Sequence, residues 1–373
     1  MSQDSSSKPT IVWFRQDLRL ADNPALVAAV ERGGPVVPVY LWAPDEAGDW
    51  APGGAHRWWL HQSLRSLGES LEKLGSKLIL REGPTQDALD DLITKTGAAA
   101  VYWNRRYEPA ITARDKQIKH RLRHDRDVEA KSFNASLLYE PWEVQTQTGG
   151  PYKVYTPFWR SVEKLPTPDL PLDAPETIPA PESWPQSAKL ASLGLEPKRD
   201  WKDGLAEAWT PGEESAHAAL DAFLDEAAKS YADRRNLPDV DGTARISPHL
   251  HHGELGPRQV YHAARRFKSD GRRNLSKDEE KNVYTFIKEI GWREFAYHVL
   301  YHFPHTPTDP LQEKFADFPW DDDAAALRAW QKGRTGYPIV DAGMRQLYAT
   351  GWMHNRVRMI VASFLVKDLL ISW

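Results

Sequence analysis

The 373-residue sequence predicts a doubly wound, parallel α/β (Rossmann-like) domain followed by an all-α domain. Three observations carry the prediction. Short apolar runs alternate with helical segments up to about residue 135. Prolines 166, 168, 171, 175, 179, 181 and 185 then crowd one stretch. From about residue 206 the apolar spacing is helical and stays so.

The elements follow in order. Residues 1–8 read as a polar tail. The runs Thr10–Phe14, Val36–Trp42, Lys77–Leu80 and Ala98–Trp103 read as strands, with a weaker fifth near Val128. Asn23-Pro24 opens the first helix, with Asn as N-cap and Pro in the first turn. The stretch after His56 places Leu60, Leu64, Leu67 and Leu71 on one helical face. Strand–helix alternation implies parallel strands with both faces covered. No GxGxxG follows the first strand, so a standard dinucleotide site in residues 9–135 is unsupported. Proline lacks an N–H and breaks helix and ladder alike, so residues 136–205 read as an interdomain linker. Residues 206–373 read as helical, with Met353, Val357, Ile360 and Phe364 as one apolar stripe.

Composition excludes several classes. The net charge is −4, 41 % of residues are apolar and cysteine is absent. That fraction is too high for a disordered chain. Without cysteine there is no disulfide scaffold, thiolate nucleophile, Cys-ligated zinc or iron–sulfur cluster. No apolar run is long enough to span a membrane, and the start lacks a secretory apolar region. The expectation is a cytoplasmic monomer with no membrane partner. Sixteen tryptophans are unusual, and suit either a Trp-rich core or stacking and electron transfer.

Charge is uneven. Residues 256–293 hold ten Lys/Arg against five Asp/Glu, and residues 331–358 hold five against one. Basic stretches with interleaved aromatics fit backbone binding plus base stacking on nucleic acid, although a solvated helix face has the same composition. Glu289 and Trp292 stand three apart on a helical segment and share a face. Such a pair suits a flat heterocycle; a surface Glu beside a core Trp is the plainer alternative. Trp352, Asn355, Arg356 and Met359 form a mixed stripe suited to a cavity wall or a phosphate contact. The loop Gly242–Pro248 offers small residues, hydroxyls and a possible helix start to an anion, or is an ordinary capped turn. His298 and His302 stand four apart, and His249, His251 and His252 cluster, yet no carboxylate completes a pattern such as HExxH. No metal site is expected.

The motifs WFRQDLRLADNPAL (13–26), GTARISP (242–248), WREF (292–295), WQKGRTGYPIVDAGMRQL (330–347) and GWMHNRVRMIVASFLVKDLL (351–370) resemble those of the photolyase/cryptochrome flavoproteins. The resemblance covers essentially the whole chain and is strongest to the cyclobutane pyrimidine dimer photolyases. Trp292 resembles the family's dimer-stacking Trp, which plant cryptochromes commonly replace with an aliphatic residue. Glu289 resembles the carboxyl group that hydrogen-bonds the dimer. Asn355 resembles the photolyase motif, where plant cryptochromes often show Asp.

The resemblance implies FAD, bent into a U inside the helical domain. Tyr231, Thr243, Ala244, Arg245, Ile246, Ser247, Phe286, Trp352, Met353, His354 and Arg358 match positions lining its site. Arg235, Glu289, Trp292, Arg293, Asn355 and Arg356 match DNA-contacting positions. Glu289, Trp292 and Asn355 match the residues around the lesion, with Glu289 favoured in its protonated form. Trp320 and Trp373 match two members of the tryptophan chain that reduces the flavin. The implied activity is light-driven repair of pyrimidine dimers in damaged DNA, by electron transfer from excited reduced FAD to a flipped-out dimer. The alternatives are a cryptochrome-like photoreceptor and a flavin-free, DNA-binding remnant.

Two departures set further expectations. Family members continue past the position of Trp373 with a segment that contacts the flavin, so an incomplete, truncated FAD-binding domain is expected. Bacterial folate-binding members often carry an Asn-Glu pair after the fourth strand, where this chain has Ala110 and Ile111. A reduced folate held otherwise, a deazaflavin, or no antenna chromophore all remain open.

Overall fold

The computed structural model describes residues 7–269 and 275–373. Residues 1–6 of the expected tail and 270–274 of the basic stretch lie outside them. Strands β1 (Thr10–Phe14), β2 (Val36–Trp42), β3 (Ile79–Glu82), β4 (Ala100–Asn104) and β5 (Glu129–Phe133) form one parallel sheet in the order β3-β2-β1-β4-β5. Successive side chains point to opposite faces. Ile11 and Trp13 therefore enter one core while Val12 and Phe14 enter the other. Helices α1 (Pro24–Arg32), α2 (Gly54–Lys73), α3 (Thr85–Thr96) and α4 (Pro109–His124) connect the strands. Asn23 caps α1 as expected, its Oδ1 accepting from the Leu26 N–H at 3.1 Å. β3 lies two residues later than its apolar run. Its pairing with β2 continues through Arg81 and Glu82, whose polarity an edge strand tolerates.

The proline-rich segment is tied to both halves. Pro179 O accepts from Val36 N at 2.8 Å, and Ala188 N donates to Leu80 O at 2.9 Å. At its other end Pro168 O lies 2.9 Å from His262 Nε2. Within residues 136–205 a helix forms, α5 (Tyr155–Val162), because Phe158, Trp159 and Val162 share one buried face. That face joins the core of the helical half.

The helical half comprises α6 (Asp203–Ala208), α7 (Glu213–Glu226), α8 (Tyr231–Arg234), α9 (Ser247–His252), α10 (Pro257–Ser269), α11 (Lys277–His302), α12 (Ala324–Gln331), α13 (Pro338–Thr350) and α14 (Asn355–Ser363). The 26-residue α11 is its spine. A capping box starts it, with Ser276 and Glu279 exchanging hydrogen bonds. At Gly291 an added Cβ would lie 2.4 Å from the Trp159 ring, so α11 lies directly on α5. The stripe expected around Met353 is corrected at one position. Ile360 is exposed and Val361 is buried, because the packed face of α14 runs from Val357 to the residue four further on. Among the described residues no helix is long and apolar enough to cross a membrane.

Glu294 of α11 is fully buried and holds the segment after β5. Its Oε2 accepts from Leu138 N at 2.8 Å and Tyr139 N at 3.4 Å. Burial outweighs the pull of Arg293 and of these N–H groups, and raises the carboxyl from 4.5 to about 7. A folded-state value above the unfolded one favours the native state at low pH. That contribution is complete below pH 4.5 and is lost as pH rises through about 7. Glu294→Gln keeps an acceptor and removes the titration. Urea melts of the parent should therefore lose stability relative to Glu294→Gln across that window; parallel pH curves would refute the assignment.

Candidate functional site

The exposed face of α11 carries an aromatic platform. Trp292 is 49 % exposed and lies flat on Tyr155, with ring centroids 3.6 Å apart and planes at 10°. Tyr155 is fixed from below, its hydroxyl donating to Lys288 O at 2.8 Å. One turn earlier Glu289 is ion-paired with Arg235, at the end of α8. Burial lowers the Arg235 guanidinium, but the hydrogen bond and charge of Glu289 outweigh it and raise the group.

The next residue, Asn236, turns the other way. Its Oδ1 accepts from Arg356 of α14 at 2.8 Å and 2.6 Å. Two adjacent residues thus bridge α11 and α14. Asn355 opens α14 and is exposed. The single stripe expected for Trp352, Asn355, Arg356 and Met359 does not form. Gly351, in the left-handed region at φ 70°, ends α13, and His354 then caps α14, its Nδ1 accepting from Arg356 N at 3.1 Å. Trp352 therefore precedes the helix. It stacks instead under Arg245, whose guanidinium carbon lies 4.3 Å from the ring centroid.

The positions matched to a flavin site divide into floor and rim. Tyr231, Ile246, Phe286, Met353 and His354 are buried. Tyr231 and Phe286 meet edge to face at 5.6 Å. Arg245, Ser247 and Arg358 are exposed, while Thr243, Ala244 and Trp352 are half-buried. The expected phosphate-directed helix start at Pro248 is slight, since α9 has six residues. Even so, the residues fit FAD. Two guanidiniums and two hydroxyls match a pyrophosphate, Trp352 offers a ring face, and His354 Nε2 is buried with no partner among the described residues. Arg293 is turned inward. It donates to Ser136 O at 2.5 Å and stacks on Tyr297 at 4.8 Å, facing the boundary between the halves rather than the Trp292 platform. Trp320 and Trp373 are exposed, and the bridge Asp321↔Ile371 brings their segments together.

A second feature escaped sequence reasoning. A cavity of about 560 Å³ opens between the halves, at the C-terminal ends of β1 and β2 and beside the segment that follows β4. Chain order reverses between β1 and β4, the usual place for a ligand crevice. Trp13, Trp42, Trp50 and Arg106 line it, together with Ala110 and Ile111. The guanidiniums of Arg15 and Arg114 lie 4.7 Å and 5.0 Å from the Trp13 ring. Its lining residues are scattered from position 13 to 308, with no motif. The one local signal was arginine just past strand ends. His56, His251 and His252 also meet on its wall; His56 was not among the histidines grouped from sequence.

Comparison with known proteins agrees with this architecture. The DNA photolyase family matches residues 10–182, and the FAD binding domain of DNA photolyase matches residues 286–373. A deoxyribodipyrimidine photo-lyase of Agrobacterium fabrum is 50 % identical, over 98 % of this chain and 74 % of its own length. Cryptochrome-2 of Arabidopsis thaliana is 40 % identical, over 98 % of this chain and 60 % of its own length. The crystal structure of a bacterial class III photolyase from Agrobacterium tumefaciens superposes with a TM-score of 0.92 at 48 % identity, covering 100 % of this chain and 75 % of that one. The chain belongs to the photolyase/cryptochrome family.

Proposed function

We propose that the chain binds DNA carrying cyclobutane pyrimidine dimers and repairs it in light. The observation that supports this reading best is the Trp292–Tyr155 platform beside the Glu289–Arg235 pair. A half-exposed indole, held flat by a second ring, suits stacking of an unpaired base. Bases reach such a platform only when taken out of the duplex, which costs least at a damaged pair. Glu289 and Asn355 would hydrogen-bond the dimer, and Arg356 would meet the backbone. FAD, when bound in its reduced form and excited by light, supplies the electron that opens the dimer ring. Arg245, Arg358, Thr243 and Ser247 would hold its phosphates and Trp352 would border its ring. Trp320 and Trp373 would carry electrons toward it from the surface.

The cavity between the halves would hold a second, flat chromophore, with Trp13, Trp42 and Trp50 as its aromatic walls. Its apolar Ala110 and Ile111 lack the paired polar groups expected for one mode of folate binding.

The cryptochrome-like reading has its own support in the likeness to Cryptochrome-2. One experiment separates the two. The FAD-loaded chain is mixed with ultraviolet-irradiated oligothymidylate and illuminated with blue light. Light-dependent loss of dimers is expected. Flavin photoreduction with no loss of dimers would overturn the repair reading in favour of the photoreceptor.

A further inference from the structure

We propose that His56, His251 and His252 bind one divalent transition-metal ion, which fastens the α/β half to the helical half at the wall of the cavity. This inference is independent of the repair reading. His56 projects from α2, and His251 and His252 from α9, so the three residues come from opposite sides of the boundary. One ring nitrogen of each lies within 4.8 Å of the other two. His56 Nδ1 and His251 Nε2 are 3.2 Å apart, near the ligand–ligand spacing of a tetrahedral zinc site. Gln16 supplies a fourth position. Its amide group lies 3.4 Å from His251 Nε2, and a flip of that amide presents oxygen instead of nitrogen.

The surroundings keep the rings as ligands. His252 stacks on Trp59, with centroids 5.7 Å apart and planes at 14°, which fixes its orientation. Among the described residues no carboxylate or carbonyl is hydrogen-bonded to the three rings; His251 contacts His56 and Gln16 through its Nε2, and His252 meets both rings face or edge on. Neutral imidazole nitrogens offer the lone pairs a metal requires. Arg106 opposes an incoming cation, but it is paired with Glu108 at 2.7 Å. A neutral donor set of three imidazoles, in a chain without cysteine, selects Zn²⁺, Co²⁺, Ni²⁺ or Cu²⁺ over Mg²⁺ or Ca²⁺.

Co²⁺ is the probe, titrated into the full chain after treatment with EDTA. The expected result is a set of visible d–d bands that saturate at one equivalent, with a rise in melting temperature. His251→Ala, at an exposed position, should bind Co²⁺ at least about 100-fold more weakly, more than loss of an outer partner costs. It should melt with the metal-free parent. His56→Gln should give the same loss from the other side of the boundary. His120→Ala, on the exposed His120/His124 pair with rings 4.4 Å apart, should change nothing. Absence of saturable binding would overturn the site, as would binding that survives His251→Ala and His56→Gln but disappears in His120→Ala.

Discussion

Replacing Trp292 with alanine should weaken binding of dimer-containing DNA by roughly 5- to 150-fold. The estimate is the ~1–3 kcal/mol that base–aromatic stacking contributes per base. Trp292 is half-exposed, so its loss opens no cavity in the core and the fold should be retained. Tyr155 keeps its hydrogen bond to Lys288 O and remains as a smaller, recessed surface. Affinity should therefore fall without vanishing, and should fall further when Tyr155→Ala is added. Trp50→Ala removes another exposed tryptophan, beside the cavity, and should leave DNA affinity unchanged. Titrations of irradiated and unirradiated oligonucleotides at fixed salt would measure all of this. Equal affinities for the parent and Trp292→Ala would remove the platform from the site.

The largest stability effect is expected at Gly253. This residue ends α9 at φ 71°, in the left-handed region, and its backbone lies on the loop after β1. An added Cβ would fall 2.1 Å from Gln16 O and 2.5 Å from Asp17 Cα. Neither neighbour is a flexible side-chain end. Arg19, buried, also donates to Gly253 O at 3.0 Å, so the contact cannot open without breaking that bond. Left-handed backbone with a Cβ costs about 1–2 kcal/mol. Forcing an extra carbon into a packed contact costs about 1–3 kcal/mol more. Gly253→Ala should thus lose roughly 2–5 kcal/mol in urea unfolding. Gly97→Ala isolates the first part, since Gly97 is also left-handed at φ 64° but nothing lies within 4 Å of its added Cβ. Equal costs at the two positions would mean that the halves do not touch at Gly253.

The sequence was most informative where one local rule decided the structure. The apolar run of β1 and the Asn23 cap were legible because each depends on a few neighbouring residues. Glu289 and Trp292 were legible as face-sharing because α11 is long and unbroken. Trp352 and Asn355 were not, because Trp352 falls in the break between the Gly351 cap of α13 and the His354 cap of α14. The burial of Glu294 was not legible, because its partners are two N–H groups 156 and 155 residues away. The cavity and its three histidines depend on how the two halves dock. His56 and His251 are separated by 195 residues, and no periodicity reports on that distance.

The clamp formed by Arg235 and Asn236 has a kinetic and thermodynamic consequence. Glu289 and Arg356 both have counter-groups before anything arrives. Binding there is an exchange reaction, in which new hydrogen bonds replace existing ones and the net gain per bond is small. A ligand that offers only one matching group gains almost nothing. One that replaces both pairs at once, and also covers Trp292, gains from all three together. On the proposed function the site would therefore reject partial matches by a threshold, and breaking either internal pair should make it bind more readily and discriminate less.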